Sequence, residues 1–278
     1  ELILKSHKYL KDKIEYIIIG NLKDIKKYTS KTKYKYDFNS IYDPINFTDF
    51  KKNFLNIYDI DNAKTKTDSL LNQINISNNL SSITNYDLVT MPIDKSLFKN
   101  KLEFIGMTEY LGYLNKKKTF MLMKGENFSV IPLTTHINPK FVYKSIKQEK
   151  LKSKLSQIFR IIKKKIYDIK ISDVKFLCYN PHCGENNYLG NEDKIIRKVI
   201  KKYKIISGVY PADSAFQNIK KNTIYLGYYH DQVLIPFKIL NKKSFNLTLG
   251  LKYKRLSPAH GTANDIIFKN IADNTSYI

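Results

Sequence analysis

Arginine is nearly missing from this chain. Only Arg160, Arg197 and Arg255 occur among 48 basic residues in 278 positions, so the formal net charge of +23 is almost all lysine. A guanidinium fork reads bases and phosphates bidentately and an ammonium does not, so this charge does not make a specific nucleic-acid reader. What it leaves is weak polyanion binding at low salt. The scarcity also raises the weight of each arginine that remains. Cysteine is scarce as well: Cys178 and Cys183 form no CxxC pair, and two residues exclude a disulfide scaffold. A reducing, cytoplasmic setting is the default. No apolar run approaches the ~20 residues of a membrane span, so no membrane partner is expected. Neither a GxGxxG fingerprint nor a GxxxxGK[ST] phosphate loop is present. No Gly-x-Ser-x-Gly elbow appears, which weakens a hydrolase reading. The chain opens at Glu1-Leu2-Ile3 without Met or a secretory pattern, as a fragment would.

What is present is a globular composition, 42% hydrophobic, long enough for one large or two modest domains. Short strand-like and helix-like runs alternate, which predicts a layered α/β protein. Helical patterns fall at 1–11, 22–28, 65–76, 95–100 (capped by Asp94), 148–167, 192–203 and 263–271. The clearest is 148–167, with Leu151, Leu155, Ile158, Phe159, Ile162 and Ile166 on one stripe. Strand patterns fall at 14–20, 87–91, 119–124, 128–134, 174–179, 205–210, 223–226 and 245–251, while 34–61 reads as irregular. The stretch 228–238 reads as a loop at a strand end, because Pro236 argues against a regular helix.

Five histidines occur. His7 sits in the first helix and reads as a surface residue. His136, His182, His230 and His260 each follow a strand-like run, in turn-type contexts. For any one alone, a structural histidine is the better reading; four together point to transition-metal chemistry. Three imidazoles with open positions would make a catalytic site, and spacing alone does not select the three. Lys238, Asn246 and Arg255 lie eight and nine residues apart around the strand at 245–251. One cation, one amide and one guanidinium suit a phosphate or carboxylate. Asp213, in Pro211-Ala212-Asp213, is placed to orient a histidine, act as a base or cap a helix.

Taken in order, several motifs form one set. They are Leu88-Val89-Thr90-Met91-Pro92-Ile93-Asp94-Lys95, Gly106-Met107-Thr108-Glu109, Thr134-Thr135-His136, Asn180-Pro181-His182-Cys183-Gly184-Glu185, Pro211-Ala212-Asp213, Tyr229-His230-Asp231-Gln232, Asn246-Leu247-Thr248-Leu249-Gly250 and His260-Gly261-Thr262-Ala263. With this set the chain resembles the 4-hydroxythreonine-4-phosphate dehydrogenase family of pyridoxal phosphate (vitamin B6) biosynthesis, over nearly its whole length. The resemblance implies a two-lobed α/β fold of the isocitrate/isopropylmalate dehydrogenase type, with an active-site cleft between lobes. It implies one catalytic unit over 1–278, with lobes near 1–110 plus 240–278 and 111–239. It implies an NAD-dependent (or NADP-dependent) oxidoreductase, with zinc, magnesium or cobalt, acting on a phosphorylated small molecule. The family is a homodimer whose metal site is shared between subunits. By position, His136, His182 and His230 match its metal ligands. Thr108, Lys238, Asn246 and Arg255 match its substrate contacts, and Asp213 belongs to the site's polar network as the candidate catalytic group. His260, Gly261, Thr262, Ala263 and Asp265 match a loop that takes the adenosine part of the dinucleotide.

The sequence also departs from that pattern. Met107 stands where the family has a substrate-contacting histidine, and Ala259 replaces an acidic residue before His260. Phe268-Lys269-Asn270 lacks the usual glycines. The opening strand with its Gly-Asp-Pro loop and the end of the last helix are missing from the sequence. The alternatives are therefore a dehydrogenase of 4-phosphothreonate or 4-phosphoerythronate, or a homologue of reduced activity.

Overall fold

The computed structural model describes residues 1–61, 63–98 and 105–277. They pack as two compact units, Glu1–Phe104 with Arg255–Ile278, and Ile105–Lys254. The sequence expectation set the divisions near 110 and 239.

The first unit begins with α1 (Leu2–Leu10), which buries Leu4, Ser6, His7 and Leu10. His7 is not a surface residue: it is 2% exposed. Its ring meets the Tyr16 hydroxyl at 2.6 Å and the Asn53 carbonyl at 3.2 Å. Partners at both nitrogens are what permit its burial. Then come β1 (Ile18–Gly20), α2 (Leu22–Ser30), β2 (Phe38–Ser40) and β3 (Leu55–Asp59). Asn21 caps α2 by accepting the Asp24 N–H at 3.0 Å. β1 and β2 flank β3, each parallel to it. The stretch read as irregular thus holds two strands. Its signal is hidden because buried Asn39 and Asn56 bond each other at 2.9 Å, so polar residues stand at inward positions. α3 (Lys66–Thr84) runs eight residues past the predicted end at 76 and stops at left-handed Asn85. β4 (Leu88–Val89) follows. Asp94 accepts the Ser96 N–H at 2.9 Å and opens only a 3-10 turn, Lys95–Phe98. The remainder of that predicted helix, 99–100, lies outside the described residues.

The second unit carries α4 (Met107–Leu114), β5 (Phe120–Gly125), β6 (Ser129–Pro132), α5 (Gln148–Ile162), β7 (Asp173–Leu177), α6 (Glu192–Ile200), β8 (Ile206–Tyr210), β9 (Thr223–Gly227), α7 (His230–Leu240) and β10 (Ser244–Leu249). Its strand order is β10-β5-β6-β9-β7-β8. β6, β9, β7 and β8 are mutually parallel, and β5 runs antiparallel to both its neighbours. The central strands are near-continuous apolar runs, with Val130, Ile131, Val174, Phe176, Tyr225 and Leu226 fully buried. That is the pattern of a parallel sheet covered on both faces.

α5 follows the predicted stripe but ends at Ile162, and Lys165–Tyr167 forms a separate 3-10 turn. The Tyr167 hydroxyl fixes that turn, donating to the Leu251 carbonyl at 2.9 Å and accepting from Gly250 N–H at 2.7 Å. α7 corrects the reading of 228–238 as a loop: the helix runs through Pro236. An interior proline costs about 3 kcal/mol. Burial of Val233, Leu234 and Phe237 returns about 1.5–3 kcal/mol for each side chain, which outweighs it.

The chain then returns to the first unit as β11 (Arg255–Pro258), parallel to β4 with Arg255 opposite Leu88. The helix expected at 263–271 is absent. Only a 3-10 turn at Asn264–Ile266 forms, because Ala263, Phe268 and Asn270 have φ of 47°, 62° and 58°, outside the α-helical region. Among the described residues no helix is long and apolar enough to cross a membrane.

Candidate active site

Parallel strands end at one common edge, and chemistry collects at such edges. In the second unit, β6 is followed by His136, β9 by His230, β7 by His182 and β8 by Asp213. That each histidine follows a strand was legible in the sequence. That β9 lies between β6 and β7, so that the three histidines follow adjacent strands, is set by the strand order.

Each histidine reaches the edge differently. His230 is the first residue of α7, and its Nδ1 lies 2.7 Å from Asp231 Oδ1. His136 has a left-handed φ of 41°. Its Nδ1 lies 3.7 Å from Glu109 Oε1, which also accepts the Thr135 hydroxyl at 2.7 Å. The Thr134 hydroxyl donates to the Tyr228 carbonyl and ties this loop to the end of β9. His182 Nδ1 lies 4.0 Å from Asp213 Oδ2.

His182 opens a run in which every residue is left-handed. From His182 to Asn187 the φ values are 48°, 58°, 83°, 43°, 59° and 74°. Gly184 adopts this region without steric cost and asparagine at 186 and 187 tolerates it, whereas His182, Cys183 and Glu185 cost about 1–2 kcal/mol each. A buried clamp holds the run. Asp193, fully buried, accepts Tyr179 N–H at 2.7 Å, Asn180 N–H at 3.0 Å and the Asn180 amide at 3.1 Å. Arg197 donates to the Cys183 carbonyl at 3.1 Å. Sequence reasoning gave Asp193, Arg197 and Glu109 no role. The rarity of arginine, which raises the weight of all three, is the one available signal for Arg197.

Burial pushes the Glu109 carboxyl up, but hydrogen bonds from His136, Thr135 and its own backbone bring it down to about 2. It is a carboxylate at neutral pH, at the third position of α4, where a helix favours negative charge. Burial, with the neighbouring Cys183, pushes the Cys178 thiol up to about 12, so Cys178 is no nucleophile. Burial, with Lys118 and Lys150, brings Lys154 down to about 8; its ammonium donates to the Leu133 carbonyl.

The donor set fits a divalent metal. Three imidazoles each have Nδ1 within 4.0 Å of a carboxylate, an arrangement in which Nε2 would be the nitrogen to hold the metal. Among the described residues, however, no three His, Cys, Asp or Glu side chains gather into a metal cluster. One chain brings the three histidines to one edge but does not close a site.

Thr108, buried in the first turn of α4, has its hydroxyl 3.3 Å from that of Thr248 on β10. Asn246 precedes Thr248 by two residues and shares its face. Its Oδ1 is buried with no hydrogen-bond partner among the described residues, which calls for a donor. Lys238 is exposed on α7, eight residues beyond His230 and so about 12 Å along the axis. Arg255 lies in the first unit, 3% exposed, with Nε donating to the Thr90 hydroxyl at 3.0 Å. His260, Gly261, Thr262, Ala263 and Asp265 are exposed in that same unit. His260 Nδ1 lies 3.0 Å from the Gly261 carbonyl, and a Cβ on Gly261 would meet nothing within 4 Å.

Fold and site define a mixed α/β protein with histidine–carboxylate pairs along the edge of a mainly parallel sheet. The chain belongs to the family described as pyridoxal phosphate biosynthetic protein PdxA, whose profile matches residues 2–278. It is 33% identical to the 4-hydroxythreonine-4-phosphate dehydrogenase of Aquifex aeolicus (strain VF5), over 99% of this chain and 90% of that protein. It is 42% identical to the protein of the same name from Hydrogenobaculum sp. (strain Y04AAS1), over 68% of this chain. That match spans 62% of the relative, under two thirds of its length. The fold is shared with a crystal structure of 4-hydroxythreonine-4-phosphate dehydrogenase from Klebsiella pneumoniae. The TM-score is 0.77 at 22% identity, covering 94% of this chain and 87% of that one.

Proposed function

We propose that this chain oxidises 4-phosphooxy-L-threonine in pyridoxal 5'-phosphate biosynthesis, using NAD (or NADP) and a divalent metal. One observation carries the reading: His136, His230 and His182 follow three adjacent parallel strands, each with Nδ1 towards a carboxylate. Family membership supplies the substrate. A divalent ion (zinc, magnesium or cobalt) on these histidines supplies Lewis-acid polarisation, and the nicotinamide supplies the hydride acceptor.

The chain's own residues do the rest. Glu109, Asp213 and Asp231 hold the imidazoles in place. Asp213, exposed beside His182, is the group that takes the alcohol proton. Thr108 and Asn246 hydrogen-bond the substrate, and Lys238 and Arg255 neutralise its phosphate. The 260–265 loop takes the adenosine. The carbinol carbon gives up a hydride and the hydroxyl a proton, leaving a β-keto acid. Cleavage of its bond to the carboxylate releases carbon dioxide, and the enolate left takes up a proton at the carbon that bore the carboxylate to give 3-amino-2-oxopropyl phosphate. A homodimer sharing the metal site belongs to this reading, because one chain does not gather the three histidines. A cytoplasmic setting goes with it.

Met107 supports a second reading. It is the first residue of α4, beside Thr108, and a thioether cannot supply the hydrogen bonds of a histidine. A dehydrogenase of 4-phosphothreonate or 4-phosphoerythronate would share the metal, dinucleotide and phosphate residues and diverge near this position. The test is NADH formation by the full chain with zinc, magnesium or cobalt, offering each substrate in turn. Turnover of 4-phosphooxy-L-threonine that chelation abolishes supports the first reading. Turnover of only a sugar acid moves it to the second, and turnover of neither overturns both.

A further inference from the structure

We propose that Glu109 is the positioning residue of His136, and that Gly106 is glycine because this pair needs the space a side chain would fill. The inference rests on the metal reading above. β6 ends at Pro132, four residues before His136, so the ring hangs from a loop with one residue in a left-handed conformation. Such a loop does not orient an imidazole by itself. Three contacts do so. Thr134 ties the backbone to the Tyr228 carbonyl, Thr135 donates to Glu109 Oε1, and the same oxygen faces His136 Nδ1 at 3.7 Å.

Gly106 adds independent geometry. It is the N-cap of α4 and its backbone is extended, so no conformational demand makes it glycine. The demand is spatial. A Cβ there would stand 2.6 Å from Glu109 Oε2, 2.7 Å from His136 Cε1 and 3.0 Å from His136 Nδ1. Carboxylate and imidazole therefore converge on one point of the cap. Glu109 Oε2 is also buried and has no hydrogen-bond partner among the described residues. A buried carboxylate short of donors is costly, and an Nδ1–H 3.7 Å from its other oxygen is the donor placed to offset that cost. With Nδ1 protonated and turned to Glu109, Nε2 is left as the basic nitrogen.

The test uses the metal-stripped full chain. Cobalt(II) binding is followed by visible absorption and by calorimetry, with His136→Ala as reference. Glu109→Gln is expected to weaken binding by about 10- to 100-fold, the usual loss for such a partner. Gly106→Ala, which keeps the carboxylate but crowds the pair, is expected to weaken it as well. Ring ¹⁵N chemical shifts of wild-type His136 are expected to report the Nδ1–H tautomer, a readout that needs neither metal nor a folded variant. Equal cobalt affinity in wild type and Glu109→Gln, or an Nε2–H tautomer in wild type, overturns the inference alone. No cobalt binding by wild type overturns the metal reading and this inference with it.

Discussion

His182 and His230 leave the same sheet edge from adjacent strands, β7 and β9, by opposite backbone routes. His230 sits in the first turn of a regular helix, fixed by apolar burial of Val233, Leu234 and Phe237. His182 opens six successive left-handed residues, fixed by a buried carboxylate and an arginine. Gln232 joins the two, donating from α7 to the Cys178 carbonyl at the end of β7 at 2.8 Å. The difference teaches where the cost of the site is carried. A helix terminus presents a side chain with little strain. A left-handed run presents one only while buried polar contacts hold it, so this half of the site is the one sensitive to second-site change.

The strongest way to break the comparison is to remove each imidazole. His182→Ala and His230→Ala are each expected to lower kcat/KM on the order of a thousandfold, the several kcal/mol a metal centre supplies. Their melting temperatures should stay near wild type, since the side chains are 66% and 37% exposed. A loss at only one of them would show that the two halves do not serve one site. Asp193→Ala is next. It strips three hydrogen bonds from a fully buried position and should cost about 3 kcal/mol in urea unfolding. It should weaken cobalt binding too, whereas truncation of the exposed Ile235 and Ile239 of α7 should not.

A third prediction concerns the His136 loop, where Lys154 bonds the Leu133 carbonyl. Its pKa is about 8 folded against 10.5 as the ordinary value, so the unfolded chain binds more protons between them. Stability therefore rises with pH through that window, and the destabilisation is full below about 8. Relative to Lys154→Met, wild type should gain roughly 2 kcal/mol from pH 7 to pH 10, read by paired urea melts. A flat difference would show that Lys154 is not desolvated there. The smallest effect is expected at Glu185, φ 43°. Glu185→Gly should stabilise by up to about 1 kcal/mol, by relieving left-handed strain. A matching Asp231→Gly change in the helical half should destabilise instead.

Much of the fold was readable because the parallel strands are apolar runs that end in turn residues. β5, β6, β7, β8, β9 and β10 were each predicted to within a few residues. Three of the misses share a cause: tertiary burial overriding local preference. Pro236 lies inside a helix because its neighbours fill the core. β2 and β3 escaped notice because Asn39 and Asn56 satisfy each other inward. His7 reads as a surface residue because its two partners, Tyr16 and Asn53, lie outside its helix, nine and 46 residues on. The predicted helix at 263–271 fails where Ala263, Phe268 and Asn270 turn left-handed, which no periodicity reports.

For the site, the sequence alone says which residue types stand after which strands, because an imidazole following an apolar run is local information. It also marked Arg197 and Arg255 as worth explaining, by the rarity of arginine. Only the tertiary structure decided that β6, β9 and β7 are neighbours, that Glu109 and Gly106 close on His136, and that Asp193 holds the His182 turn. Strand order, cap packing and buried hydrogen bonds join residues far apart in the chain, and their cost and return exist only once the core has formed.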